Sequence, residues 1–457
     1  MDKKTLIFEK MPVWKAVATL AVPAILSQLV TMIYNLADTF YIGRTNDPYM
    51  VAAVSYSFGA FALLSAIGNL FGIGGGSLMA RMMGAKRVED AKKVSAYSVY
   101  GTIVVSTLYS VLLGVFMTPI LRLLGASELT IGYGSDYLFW TTVVGGVPTT
   151  LGIVLGHFLR SEGEAKLGAI GIAVGGLLNI ILDPIFIFAL DLDVAGAAIA
   201  TMLSNTIGLA YYFTVLWLIR KRSNVTFAPG HLKGSASLAP QIFAVGLPAA
   251  AAVMFNVLVN GSMFKVLSRY GDLPVAAMGI VKKIDMIPLN IALGLAQGIL
   301  PLVAYNYASH DYVRMKNVSR FARYAATSVA LLCIAVFEAF SVPLVRFFID
   351  EDATVGLGAQ FLRIACLGTV PMTLFFLFNT TFQAMGKGKQ SFFLVFVRQV
   401  VLNLSILFAF EALFGMIGIV WTQPVGDLLA AGIAWVLFER VVVKLNLEQA
   451  AFERRSA

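Results

Sequence analysis

The chain has 457 residues, of which 58% are hydrophobic and only 13% are charged, and its mean hydropathy is +0.82. These shares exclude an ordinary soluble domain. The formal net charge is +9, but the basic residues sit in short loops between apolar runs, which favours anionic lipid headgroups over nucleic acid as their partner.

Twelve apolar runs follow one another along the chain, and each is long enough to cross a bilayer core as a helix of about 20 residues. The runs cover 17–40, 51–80, 94–116, 136–159, 167–190, 194–219, 241–268, 275–305, 324–346, 358–384, 391–414 and 417–440. Their lengths favour helices over the short strands of a membrane barrel. The sequence therefore predicts an all-α polytopic membrane protein with twelve transmembrane helices.

Lysine and arginine are concentrated in alternate loops. If the N-terminus is cytoplasmic, 25 of the 34 basic residues lie in inner segments and four lie in outer loops. Cytoplasmic loops carry such an excess. We therefore expect a multi-pass protein of a prokaryotic cytoplasmic (inner) membrane, with both termini in the cytoplasm.

The second half of the chain repeats the first at an offset of 223 to 225 residues. "LAVPA" (20–24) aligns with "VGLPA" (245–249), and "FMTPILR" (116–122) aligns with "FSVPLVR" (340–346). Each half holds six runs, an even number, so the halves have the same orientation. We predict two pseudo-symmetric six-helix bundles, with an N-terminal lobe at 1–219, a cytoplasmic linker at 220–240 and a C-terminal lobe at 241–457.

This architecture favours a transporter, because repeat-built transporters place their sites near the midplane between or within the bundles. "GKGKQS" (386–391) lacks the spacing of a phosphate-binding loop, and no HExxH motif occurs. We expect no ATP and no cofactor beyond a coupling ion. The small residues of the second run recur every four positions and predict close helix packing; they are Gly68, Gly72, Gly76, Ala80 and Gly84.

Two acids lie inside apolar runs of the first half. Asp38 is toward the outer end of the first run and Asp183 is in the fifth, with Asn179 four residues before it on the same helical face. A charge at the bilayer centre costs at least about 2.5–3.5 kcal/mol. The equivalent positions of the second half carry no acid, so the scaffold does not require them.

Carboxylate and amide oxygens suit a hard cation such as Na⁺, and paired carboxylates would equally bind a proton. Asp38 and Asp183 fall at matching depth, so the sequence predicts a cation site there without choosing between Na⁺ and H⁺. Two alternatives remain open. Asp38 could be an outer-interface residue solvated by headgroups, and Asn179 could make an ordinary interhelical hydrogen bond.

The chain resembles the multidrug and toxic compound extrusion (MATE) family over essentially its whole length. The resemblance rests on the repeat, on Pro23 followed by "ADTFYIGR" (37–44), on "ARMMGAKR" (80–87) and on "GVPTTLGIVLGHFLRSEGEAKLG" (146–168). The NorM-like branch relies on acids in the seventh and tenth spans, and 244–264 and 366–386 contain none. The resemblance is therefore to the DinF-like branch.

Membership would imply a MATE/MOP-type fold and a secondary active antiporter. Such a protein exports amphipathic, cationic organic compounds in exchange for H⁺ or Na⁺ by alternating access. The resemblance also implies a cation site at Asp38, Asn179, Asp183 and Thr201, and a bend of the first helix near Pro23 when that site is loaded.

The substrate cavity is predicted from polar or soft residues on lobe-facing spans, although such residues also serve as packing or interface residues. The candidates are Tyr34, Asn35, Tyr137, Asn205, Asn256, Asn260 and Met286.

The second half has embedded charges of both signs, which suggest mutual pairing because unpaired ions are costly in hydrocarbon. The alternative is a substrate site or a second proton site. These residues are Lys282, Lys283, Asp285, Glu338, Arg398 and Asp427.

Two other functions compete with drug export. A flippase for a lipid-linked saccharide would need a more basic central cavity, and the basic residues Lys283 and Arg398 favour this alternative. An intramembrane enzyme would need clustered acids for Mg²⁺, and no DDxxD-like motif is present. We expect a monomeric transporter, not an enzyme, whose partners are small organic substrates, a coupling cation and the bilayer.

Overall fold

The structure is a computed structural model that describes residues 3–45 and 47–456. The described part is almost entirely helical and contains no strand. The first six long helices are α1 (Val13–Gly43), α2 (Pro48–Gly84), α3 (Val88–Val115), α4 (Ile131–Val144 with Gly146–Ser161), α5 (Ala165–Ala189) and α6 (Asp193–Ile219). The next four are α7 (Ala239–Leu267), α8 (Asp272–Ala308), α9 (Tyr312–Arg346) and α10 (Asp352–Cys366 with Thr369–Ala384).

Short helical segments connect or precede these helices. They are Lys3–Thr5, Leu6–Lys10, Met117–Leu123, Pro229–Leu232, Ser235–Leu238 and Ser268–Tyr270. The two halves of α4 meet at 50° and those of α10 at 44°, so each pair forms one bent span.

The last helical stretch, Gly388–Leu447, is 60 residues long, and as a straight helix it would extend about 90 Å. It does not run straight, because Gly415 has φ 60° and ψ −141°. Arg398 Nε lies 2.6 Å from Asp427 Oδ1 although 29 residues separate them. The chain therefore reverses at Gly415 and forms two helices, α11 (388–414) and α12 (416–456).

Within the described residues, nine helices are long and apolar enough to cross a membrane, or eleven when each bent pair is one span. The reversal at Gly415 divides one of them and brings the crossings to twelve. The predicted all-α polytopic fold is confirmed. Two limits differ most from the predicted ones. α12 ends at 456 rather than near 440, and α9 begins at Tyr312 rather than near 324, after Asp311 Oδ1 accepts the Arg314 N–H at 2.9 Å.

The glycines of α2 allow α4 to approach closely. A Cβ added at Gly68 would lie 2.9 Å from the Ile153 side chain, and one at Gly72 would lie 2.8 Å from the His157 ring. Because lipid supplies no hydrophobic force between helices, small residues that permit close packing hold such pairs together. The predicted packing role of this ridge is confirmed.

The two halves of the molecule meet where α1 packs on α8 and α2 packs on α7. A Cβ at Gly298 would lie 2.4 Å from Ala21 Cα, and one at Gly246 would fall against the Leu70 carbonyl. These contacts lie toward the basic ends of the helices.

The N-terminal segment, Lys3–Lys10, also joins the two halves at this basic face. Lys4 Nζ lies 2.8 Å from Glu162 Oε1 between α4 and α5. On the other side, Asn306 Nδ2 and Arg314 Nε donate to the Phe8 carbonyl at 3.3 and 2.7 Å. Phe8 is fully buried, so this segment helps to close the basic face.

Candidate functional site

Asn179, Asp183 and Thr201 form one hydrogen-bonded group between α5 and α6. Asn179 Nδ2 donates to Asp183 Oδ1 at 3.0 Å and to Thr201 Oγ1 at 3.3 Å. The two helices approach closely one turn away, where a Cβ at Gly175 would lie 3.4 Å from the Ser204 carbonyl oxygen. A glycine on the Asn179 face of α5 thus allows α6 to present Thr201 to the group.

Asp38 reaches the same group from α1. The helices α1 and α5 pack through Gly176, where an added Cβ would lie 2.8 Å from Val30 and 3.0 Å from Tyr34. The Asp38 carboxyl is in electrostatic contact with that of Asp183, and both act on the buried Tyr137. Asn179, Asp183 and Thr201 are thus joined by hydrogen bonds, and Asp38 lies near enough for its charge to influence Asp183.

Three oxygen atoms of this group are buried and have no hydrogen-bond partner in the described chain. They are Asp38 Oδ1, Asn179 Oδ1 and Asp183 Oδ2. Asp183 is fully buried and Asn179 is 3% exposed. A buried acceptor left unpaired costs roughly 1–3 kcal/mol, so the three oxygens are available as acceptors for a group that the structure does not contain.

The donor set does not match a transition-metal site. Among the described residues, no group of three or more His, Cys, Asp or Glu side chains could hold a metal ion. The cluster instead offers two carboxylates, one amide oxygen and one hydroxyl, which are hard oxygen ligands.

A cavity of about 250 Å³, here called the N-lobe cavity, begins at Asn179 and Thr201 and extends inward to His157 and Arg160. Tyr34 and Asn205, two of the seven residues predicted for the substrate cavity, line it. Other lining residues that the sequence did not indicate are Gln28, Asn69, His157, Arg160, Tyr212 and Gln297. His157 and Arg160 could have been suspected, since ionisable residues within a span are functional candidates.

The other five predicted cavity residues lie outside the lining described for the N-lobe cavity. Tyr137 is buried, while Asn35 and Asn256 are exposed. Asn260 Nδ2 donates to Asn256 Oδ1 at 3.0 Å. The carbonyl of the half-buried Met286 accepts a hydrogen bond from Asn290.

The embedded charges of the second half are largely paired. Arg398 binds Asp427 at 2.6 Å, and its guanidinium lies 4.8 Å from the centre of the Phe375 ring. The predicted pairing is thereby confirmed for Arg398 and Asp427.

The other embedded charges have different neighbours. Lys282 Nζ donates to Gln423 Oε1, and Gln423 Nε2 donates to Asp285 Oδ2 at 3.3 Å. Glu338 lies 3.9 Å from Arg363, and Lys283 is exposed. Glu338 therefore has a partner other than Arg398.

The profile of the MatE family matches this chain twice, over residues 23–185 and 248–409. The chain belongs to the MATE family. The two matches begin at Pro23 and Pro248, the prolines that the internal repeat aligns. MATE proteins are transporters, so the prediction of a transporter rather than an enzyme is confirmed.

Curated relatives agree with this assignment along the whole chain. The multidrug export protein MepA of Staphylococcus saprophyticus is 32% identical over 453 residues, which cover 98% of both chains. The MepA protein of Staphylococcus aureus (strain MRSA252) is 30% identical over 433 residues, or 94% of each chain. These names do not favour the lipid-linked saccharide flippase.

Solved MATE structures share the fold. The chain superposes on a MATE crystal structure described as the straight conformation with a TM-score of 0.91, covering 98% of this chain and 99% of that one. The score is 0.88 for one described as the bent conformation, with 98% and 100% covered. Both are 23% identical to this chain.

Proposed function

We propose that this MATE protein is a secondary active antiporter of the DinF-like branch in a prokaryotic cytoplasmic membrane. It exports amphipathic, cationic organic compounds in exchange for H⁺ or Na⁺. The export role is supported by the multidrug export relatives that cover the chain end to end. Its two working units are the lobes at 1–219 and 241–457, joined by the cytoplasmic linker 220–240, and it acts as a monomer.

The observation that carries the coupling proposal is the set of unpartnered oxygens on Asp38, Asn179 and Asp183. Asp38 is on α1 and Asp183 is on α5, and their carboxylates interact in a low-dielectric setting, where an uncompensated anionic pair is unfavourable. A bound Na⁺ or proton relieves that repulsion. Binding of a cation at this site therefore strongly affects the packing of α1 against α5.

Alternating access requires that occupancy of the cation site changes the arrangement of the two lobes. Inward movement of one cation along the membrane potential supplies about 2.3 kcal/mol per 100 mV. Pro23 interrupts the hydrogen-bond ladder of α1. It lies within the part of α1 that packs on α8, between Ala21 and Ile25, and Asp38 lies further along the same helix. Cation binding then favours one of two shapes of α1, which are related by a hinge at Pro23. Because the cation binds the two shapes with different affinity, its binding changes the arrangement of the two lobes.

The test uses proteoliposomes with an imposed Na⁺ or H⁺ gradient and a fluorescent organic cation as substrate. Asp38→Asn and Asp183→Asn should insert normally and lose gradient-driven efflux, because a neutral isostere fixes the protonated, cation-free charge state. Asp136→Asn is the matched control, since Asp136 is an exposed acid of α4 in the same half. Wild-type efflux by Asp38→Asn would leave that aspartate as an interface residue. The gradient that drives wild-type efflux identifies the ion.

A further inference from the structure

Arg160 lies at the inner end of the N-lobe cavity and is only 3% exposed. Its Nε and Nη1 atoms are buried and meet no hydrogen-bond acceptor in the described chain. The cation site does not use this residue, which marks the opposite end of the same cavity.

The guanidinium points into the cavity because of its helix and its neighbours. Long helical side chains lean toward the N-terminus of their helix, which for α4 is the direction of the cavity. Nη1 stands 3.7 Å from the position of a Cβ on Gly156, one turn back. A further turn back, a Cβ on Gly152 would meet nothing within 4 Å. The space beside Gly152 is therefore open to the cavity, whereas the Tyr212 hydroxyl lies 3.1 Å from the Cβ position of Gly156.

The nearby acids are engaged elsewhere. Glu162 accepts Lys4 Nζ at 2.8 Å and Ser223 Oγ at 2.5 Å, and Glu164 lies 3.7 Å from Arg222. Tyr212, which is in electrostatic contact with Arg160, donates its hydroxyl to the Gly168 carbonyl at 2.6 Å. A buried charge without a counterion is strongly unfavourable, so an anion that enters the cavity would be stabilised beside Arg160.

We propose that Arg160 binds a small anion at the inner end of the N-lobe cavity, either a free halide or the carboxylate of an organic molecule. Arg160 packs beside Gly168 of α5, eleven residues before Asn179, which corresponds to about 16 Å along the helix. The cavity thus offers a cationic group at its inner end, and Asn179 and Thr201 of the proposed cation site line its outer end.

Arg81 provides a matched comparison. It too has two buried guanidinium nitrogens, Nε and Nη2, without a hydrogen-bond partner. However, it lies beside Gly386 at the basic face and is outside the lining of the N-lobe cavity. A substitution at Arg81 therefore removes a similar buried charge without touching the proposed anion site.

The test measures the thermal unfolding midpoint of the purified full-length protein as bromide replaces gluconate at constant ionic strength. A ligand that binds only the folded state raises this midpoint. The wild type and Arg81→Gln should show a saturable rise, and Arg160→Gln should show none. Arg160→Lys should respond more weakly, because lysine lacks the planar fork. A parallel acetate and benzoate series separates the two sources, since a site for carboxylates responds there and a halide site does not.

Crystals of the wild type soaked in bromide give an independent readout, with an anomalous peak expected beside the Arg160 guanidinium. An equal bromide response in wild type and Arg160→Gln would overturn the proposal. So would a wild type that responds to none of the anions and shows water alone at Arg160. If Arg160→Gln does not fold, the proposal is judged from the anomalous bromide peak in wild-type crystals and from the bromide response of Arg160→Lys. None of these readouts measures transport, so their outcome is independent of the cation-coupling proposal.

Discussion

In the proposed cation site Thr201 supplies a neutral oxygen, and removing this oxygen should weaken cation binding without abolishing it. Thr201→Val keeps the shape of the side chain and deletes the hydroxyl that accepts Asn179 Nδ2. The loss of one neutral ligand or hydrogen bond is worth about 1 kcal/mol. We expect the cation concentration for half-maximal efflux to rise roughly fivefold, with the maximal rate little changed.

The control for this change is Thr206→Val on the same helix, where the hydroxyl donates only within α6, to Met202. Its half-maximal cation concentration should match the wild type. Loss of transport at saturating cation in Thr201→Val alone would argue for a structural role instead of a ligand role.

Arg398 and Asp427 form an embedded ion pair, with side-chain exposures of 8% and 0%. Removing one partner leaves the other charge uncompensated, which costs about 3–5 kcal/mol. Arg398→Met and Asp427→Leu should each lower the unfolding midpoint in detergent strongly. The double substitution should recover much of the loss, because no isolated charge remains.

Two further double-mutant cycles serve as controls for the Arg398–Asp427 cycle. Arg398→Met with Glu338→Gln should be additive, since Glu338 lies against Arg363. The exposed pair Arg346 and Asp352 should show a coupling below about 1 kcal/mol. Additivity in the Arg398–Asp427 cycle would contradict the geometry.

Sequence reasoning identified the acids of the cation site and missed Arg160 for definable reasons. Asp38 and Asp183 stand out because they interrupt apolar runs and have no acidic counterpart in the repeat. Arg160 follows directly after the predicted run 136–159 and was therefore counted among the inner-loop residues. The helix continues to Ser161 and the side chain leans back into the cavity, a direction that hydropathy does not encode.

At the scale of the helices, Gly415 is a position where a side chain should be poorly tolerated. Its φ of 60° and ψ of −141° belong to a region that residues with a Cβ rarely adopt. Gly415→Ala should lower the unfolding midpoint by an amount that corresponds to about 1–3 kcal/mol.

Gly432→Ala on α12 is the contrasting case, because a Cβ there meets nothing within 4 Å and alanine favours the helix by up to about 1 kcal/mol. It should leave the midpoint unchanged or raise it. Equal effects of the two substitutions would show that the reversal between α11 and α12 does not depend on glycine.

The helices were predictable because apolar length alone sets a span. The limits of α1, α5 and α6 differ from the predicted runs by a few residues. The start of α9 was not predictable in this way. Its first turns are helical but carry Arg314 and other basic residues, so they fall outside the apolar run. The bends in α4 and α10 likewise occur within runs of uniform hydropathy.

At the scale of the whole molecule, we expect the linker and both termini to lie in the cytoplasm. Starting from a variant in which Cys333 and Cys366 are replaced by alanine, a membrane-impermeant maleimide should label Asp350→Cys on intact cells. Gly230→Cys should react only after permeabilisation. Both positions are exposed in the structure, so a difference reports sidedness rather than burial. Labelling of Gly230→Cys on intact cells would invert the proposed orientation.

The N-terminal segment at the basic face has a consequence for how the protein is made. Its residues are synthesised well before their partners, because Phe8 binds Asn306 and Arg314, which follow 298 and 306 residues later. At about 5–20 residues per second, synthesis of that interval takes roughly 15–60 s. Throughout this time the segment lacks its C-terminal partners. A ribosome that stalls before α8 therefore leaves the segment without these two partners, and the hydrogen bonds to the Phe8 carbonyl distinguish a chain that extends through Arg314 from a shorter one.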